Sequence, residues 1–330
     1  MEVVLLIASF AVILAGALVF TNAVEWAGVK LNIGEGATGS LLAAVGTAMP
    51  ETLIPIVAMI GGVEGSEDVA IGAIIGAPFL LATIAMALVG FSALIYRKRR
   101  AQGRELRANV EVLDRDLLFF LVFFTIGALI GLGVPDALQI PIAVLFLAAY
   151  GFYVRRTLLG GGEVQEVETI GPLYMDRSPG DEPPGQTVVL QLLVGLAAIV
   201  GGAHLFVEEL IHVAESIGVE PLVLSLVLAP LATELPEKAN SFFWVRDGKD
   251  SLALGNITGA MVFQSTIPIA FGLALTHWEL NKFALASAGL GVAGGILAYW
   301  ALRLRGRFDA VAIAAWTLLF TAFIVFVAVA

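Results

Sequence analysis

Apolar runs follow one another along almost the whole chain, separated by short polar breaks. A hydrocarbon core takes about 20 apolar residues per helical span. On that measure the pattern predicts ten spans, at about residues 3–28, 37–60, 67–95, 115–133, 138–155, 187–216, 220–244, 250–275, 282–302 and 308–329. Each is expected to be helical, because a lipid-embedded backbone must satisfy its own polar groups. The first run opens with Glu2 and lacks a basic start, so it reads as a span rather than a signal peptide. Between the fifth and sixth runs lies "GGGEVQEVETIGPLYMDRSPGDEPPGQT", rich in Gly, Pro and acid, which predicts a flexible linker. The chain thus divides into 1–158, a linker at 159–186, and 187–330, with five spans on either side of the linker.

Composition agrees with this layout. Of the 330 residues, 59% are hydrophobic and only 14% are charged, against about 25% charged in soluble domains. Cysteine is absent, which removes disulfides, thiolate metal sites and cysteine nucleophiles. Arg and Lys cluster only between spans, so no basic nucleic-acid surface is expected. Numbering the loops alternately by side, all of the 18 Lys and Arg except Lys282 and Lys238 fall on the side that holds the linker. Basic loops face the cytoplasm, which predicts a cytoplasmic linker and both termini outside, in a cell membrane crossed many times. "YRKRRAQGRELR" fits a topogenic cytoplasmic loop, with anionic lipid binding as the other use. The pattern carries no signal for an oligomeric state.

An odd number of spans per half means that related halves must be inverted in the membrane. The sequence contains such a repeat. Aligning Glu51 with Glu237 also aligns Pro50 with Pro236 and Thr47 with Thr233, giving Thr-x-x-Pro-Glu twice. Downstream, "AIGAIIGA" (70–77) matches "ALGNITGA" (253–260), with Gly72 opposite Gly255 and Gly76 opposite Gly259. The expected fold is therefore an all-α membrane protein of ten transmembrane helices, built as two inverted five-helix repeats.

The repeated residues make chemical sense together. Proline has no N–H, so Pro50 and Pro236 cannot donate to the carbonyls of Gly46 and Ala232. Thr47 and Glu51 share a helix face, as do Thr233 and Glu237. A carboxylate inside a span is costly and points to function, the structural alternative being an interhelical hydrogen bond. Inverted helices of this kind would cross near mid-membrane and bring two carboxylates and several carbonyls to one point. An all-oxygen set of ligands suits a hard cation such as Ca²⁺.

The doubled motif resembles that of the calcium/cation antiporter superfamily, which includes the sodium/calcium exchangers. Its repeats carry a G-T-S-L-P-E helix followed by a G-S-N-x-F-[ND] helix; here the first motif reads "GTAMPE" and "ATELPE". "IGVEPLVLSLVL" also resembles the family's lead-in to the second motif. The resemblance implies that Glu51 and Glu237 bind Ca²⁺, with backbone oxygen from Thr47 and Thr233. This chain departs from the family at Ala48, Glu234, Ala77, Ala260, Leu81 and Gln264, positions where exchangers build sodium sites. The third helix of the first half keeps little polarity beyond Thr83, whereas its counterpart keeps Asn256, Thr258, Gln264, Ser265 and Thr266.

Other intramembrane residues leave choices open. Glu234 could be a third ligand or a proton carrier, or could neutralise Lys238. Lys238 could snorkel, pair with a carboxylate, or stand in for one transported sodium; Glu234 at i−4 and Glu237 favour pairing. Asn256, Gln264, Thr266 and Lys238 are candidates for counter-ion or supporting roles. Pro78 and Pro268 predict kinks, or gate hinges. Glu25, Glu208, Glu209, Glu215, His204 and His212 read as interfacial, since no third zinc ligand has the right spacing. The expected activity is exchange of Ca²⁺, or another divalent cation, for Na⁺ or H⁺ by alternating access at one midplane site, with no resident cofactor. The long, Gly-containing first helix of each half is, by resemblance, a sliding gate. A cation channel or a non-transporting sensor on the same scaffold are the alternatives. An intramembrane enzyme is disfavoured, since neither H-E-x-x-H nor G-x-S-x-G occurs.

Overall fold

A computed structural model describes residues 1–31, 48–103, 105–107, 109–159, 171–176, 183–305 and 308–329. The side chains at 49, 158, 159, 235–237 and 305 are outside the description. Among the described residues the chain is all-helical, with one isolated bridge between Leu106 and Phe308. Seven helices are long and apolar enough to cross a membrane: Glu2–Lys30, Ser66–Ile95, Asp136–Thr157, Gly185–Ile217, Asp250–Leu275, Lys282–Leu304 and Ala310–Val329. The protein is an integral, multi-pass membrane protein.

Three other expected spans fall short of that measure for identifiable reasons. In the second, the described helix is only Met49–Gly61, since 37–47 lie outside the described residues. In the fourth, Val110–Ile130, the first half carries Asp114, Arg115 and Asp116. In the seventh, Pro221–Arg246, the apolar stretch stops at Glu234, where Glu237 and Lys238 follow.

The helices are α1 (Glu2–Lys30), α2 (Met49–Gly61), α3 (Ser66–Leu80), α4 (Met86–Ile95), α5 (Val110–Ile130), α6 (Asp136–Leu159), α7 (Gly185–Ile217), α8 (Pro221–Arg246), α9 (Asp250–Gln264), α10 (Ile267–Leu275), α11 (Lys282–Arg305) and α12 (Ala310–Val329). They form two compact units, 1–66 with 151–217, and 67–150 with 218–330. Each unit draws on both halves of the sequence.

In the first unit, α1 buries Leu6, Ser9, Ile13, Gly16, Phe20 and Ala23, alternating steps of three and four that keep one seam on one face. The seam meets α7, which is antiparallel to α1: Phe20 lies at Gly195, Gly16 at Ala198 and Ile13 at Gly202. A Cβ on Gly195 would stand 2.7 Å from the backbone N of Phe20, so glycine lets the two backbones approach. In lipid such close packing supplies much of the helix association. Leu53 of α2 packs on the Phe20, Val24 and Ile199 cluster.

Part of the segment predicted to be a flexible linker is docked on this pair. Leu173 is buried with Ala23 and Val188. Gln191, fully buried, accepts from Met175 N at 2.8 Å and donates to Val19 O and Asn22 Oδ1 at 2.9 Å each. Asn22 Oδ1 accepts from Tyr174 N at 3.3 Å, and Trp26 Nε1 donates to Gly171 O at 3.0 Å. A buried amide in an apolar seam must find partners, and the backbone of 171–176 supplies them.

In the second unit, α3 lies along α8. Cβ atoms on Gly72 or Gly76 would collide with the carbonyls of Leu222 and Leu226. Ser225 Oγ donates to Val69 O, and Ser92 Oγ to Phe242 O, each at 2.6 Å. The third segment of each half is interrupted. A π-helical turn, Leu81–Ala85, follows Pro78, and Ser265–Thr266 break the path just before Pro268. In the register that pairs Gly76 with Gly259, these two interruptions coincide. Proline's missing N–H and ring bulk account for both.

Candidate functional site

Glu51 sits in the first turn of α2 and is buried, 8% exposed. Pro50 occupies the same turn, where its missing N–H removes no intrahelical bond. A carboxylate in a first turn also meets the positive end of the helix dipole. Thr52 Oγ1 donates to Ala48 O at 2.7 Å, which ties the turn together. The sequence reading missed Pro55. It lies within α2 and cannot donate to the carbonyl of Glu51, so this residue offers backbone as well as side-chain oxygen. A proline four residues after an intramembrane acid is the signal that would have found it. Thr47 lies outside the described residues.

The second copy of the motif lies within one continuous helix, α8. Pro236 cannot donate to Ala232 O, as expected from its chemistry. Thr233 is buried, and its Oγ1 donates to Ala229 O at 3.2 Å, which leaves oxygen lone pairs for another partner. Glu237 belongs to this helix, though its side chain is outside the description.

Beside Thr233 and Glu237 runs a second rung. Glu234 and Lys238 are each 1% exposed, with Nζ 3.3 Å from Oε2. Glu234 Oε1 accepts from Gln264 Nε2 at 2.9 Å. Both carboxylate oxygens therefore face donors. Of the other sequence candidates, Asn256 Nδ2 donates to the buried Ser241 Oγ at 3.0 Å. Thr266 Oγ1 donates to Val262 O at 2.9 Å. Both brace α8 or α9 locally. Asp116, which sequence reasoning passed over near a helix start, is buried in α5 and accepts from Thr258 Oγ1 at 2.9 Å. Among the described residues no group of three His, Cys, Asp or Glu could hold a metal ion. A hard-cation site here has to draw on hydroxyl and backbone oxygen, and on Glu237 and Thr47.

The sequence model for the sodium/calcium exchanger protein family matches residues 1–159 and 187–329. The chain belongs to this family. The match omits 160–186, the acidic Gly/Pro-rich stretch. Among relatives, the inner membrane protein YrbG of Escherichia coli (strain K12) is 25% identical over 249 residues, covering 74% of this chain and 71% of its own. The fold is that of solved exchangers. The crystal structure of the H⁺/Ca²⁺ exchanger CAX superposes with a TM-score of 0.74 at 23% identity, covering 98% of this chain and 82% of that one. The sodium-calcium exchanger NCX_Mj superposes with a TM-score of 0.57 at 20% identity, covering 98% of each chain. Membership of the exchanger family is that of a transporter family.

Proposed function

We propose that the chain is a secondary active antiporter exchanging Ca²⁺, or another divalent cation, for Na⁺ or H⁺. Ten transmembrane helices form two inverted five-helix repeats, 1–158 and 187–330, joined by a cytoplasmic linker at 159–186. Both termini lie outside. Glu51 and Glu237 supply the carboxylates of one midplane site, and Thr47 and Thr233 add oxygen. Calcium and the counter-ion compete for these oxygens, so neither crosses without the other.

The observation that carries this reading is the burial of Glu51 in an apolar helix, in an exchanger-family chain whose second half repeats the same Thr-x-x-Pro-Glu. The antiparallel pairing of α1 with α7, the first helix of each half, is what an inverted repeat requires. The glycine seam of that pair favours its role as the sliding gate.

The test is counter-ion-driven ⁴⁵Ca²⁺ uptake into proteoliposomes. Glu51→Gln and Glu237→Gln should each abolish uptake while the purified proteins stay monodisperse. Unchanged uptake in either variant defeats the proposal. Imposing a sodium gradient and then a pH gradient on the same vesicles identifies the counter-ion.

A further inference from the structure

The Glu234–Lys238 pair is buried, charged and unused by the exchange site as described. Its position is specific. Thr233 and Glu237 form one i,i+4 rung of α8, and Glu234 and Lys238 form the next, turned about 100° around the helix. In the register that aligns Glu51 with Glu237, the first half carries Ala48 and Thr52 at the positions of Glu234 and Lys238. There the rung is a neutral bond from Thr52 Oγ1 to Ala48 O. The helix architecture therefore does not call for charge at this rung. A buried ion pair is also a poor way to gain stability, since apolar residues of similar volume often serve as well or better.

Chemistry then limits what Glu234 can do. A metal ion needs oxygen lone pairs, but the oxygens of Glu234 face an ammonium on one side and an amide N–H on the other. The pair adds no net charge, yet it places a tethered positive charge within one residue of Glu237.

Resting on the exchange function proposed above, we infer that Lys238 is a resident cation that sets the ion count of the site. With Glu234 answered by Lys238, two negative charges, those of Glu51 and Glu237, are left for mobile ions. They are balanced by one divalent cation or two monovalent ones. Without the ammonium, Glu234 becomes a third negative charge. Gln264, whose amide can rotate to present its oxygen, completes an oxygen subsite for one more Na⁺. Lys238 is thus a specificity-determining residue, and it acts by holding a cation position that a mobile ion would otherwise take.

Equilibrium binding of ²²Na⁺ and ⁴⁵Ca²⁺ to the purified full chain tests this. Lys238→Met should bind one more Na⁺ per chain than wild type, and Na⁺ should displace ⁴⁵Ca²⁺ from it with a steeper concentration dependence. Adding Glu234→Gln to Lys238→Met should remove the extra Na⁺, and Lys238→Arg should keep the wild-type count. A monodisperse Lys238→Met protein that binds ⁴⁵Ca²⁺ with an unchanged Na⁺ count overturns the inference alone. Three or more Ca²⁺-competitive Na⁺ ions on wild type overturn it without any variant. A wild-type chain that binds no ⁴⁵Ca²⁺ sinks the exchange reading and this inference with it.

Discussion

Arg100 and Asp250 form a bidentate pair, Nη1 to Oδ1 at 2.8 Å and Nη2 to Oδ2 at 2.9 Å, with both side chains buried. The guanidinium also donates to Gly103 O at 3.0 Å, to Glu105 O at 2.8 Å and to Val245 O. Asp250 accepts from Arg107 N at 2.9 Å as well. One basic residue of the loop after α4 thus fixes the start of α9. At the repeat-related position, Glu67 at the start of α3 accepts from His277 N at 2.8 Å, in the loop after α10. Each third segment begins with an acid that grips the loop leaving the other.

Breaking the Arg100 clamp should be costly. Asp250→Asn leaves a buried guanidinium without its counter-charge, a loss of about 3–5 kcal/mol. Arg100→Lys should not rescue stability, because an ammonium cannot fill a planar five-donor fork. Glu67→Gln, at an exposed position with one backbone bond, should change stability far less. Thermal unfolding of the purified variants in detergent checks the order.

The repeat glycines should respond unequally. Gly72→Ala drives a methyl to 2.6 Å from Leu222 O, and must push α3 off α8. We expect a loss of about 1–3 kcal/mol, as for overpacked cores. At Gly255 and Gly259, a Cβ meets nothing within 4 Å among the described residues. Alanine there should leave the melting temperature near that of wild type. Equal sensitivity of both copies in the same melting assay would contradict this packing.

The docked segment should be sensitive to Gln191. Gln191→Leu strands the Met175 N–H and a hydrogen bond of Asn22, at about 1–3 kcal/mol for an unmet buried partner. Hydrogen exchange at Tyr174 and Met175 should accelerate in that variant, and also in Leu173→Ala. Wild-type protection of these amides in both variants would show that the segment is held by something else.

Much of this architecture was legible in the sequence because lipid permits few solutions. Apolar runs located the helices, and the alternate loading of Lys and Arg assigned their sides. Proline spacing foretold both interruptions of the third segments, although only the structure shows one as a π turn and the other as a break at Ser265–Thr266. Contacts set by partners distant in sequence were hidden. Arg100 looks like any other member of a basic loop, and nothing near it announces Asp250. "GPLY" reads as linker because its anchors, Asn22 and Gln191, lie on other helices. At the candidate site, the carboxylates stood out against an apolar background. Lys238 left three readings open, because a neighbour at i−4 shows that pairing is possible but not that both groups are buried.

The most direct test of the exchange account is calorimetric titration of the purified protein with Ca²⁺. One competitive site per chain is expected in the wild type, lost in Glu51→Gln and lost equally in Glu237→Gln, because each half supplies one of its two carboxylates. Retention of wild-type Ca²⁺ affinity and stoichiometry by either variant would contradict it.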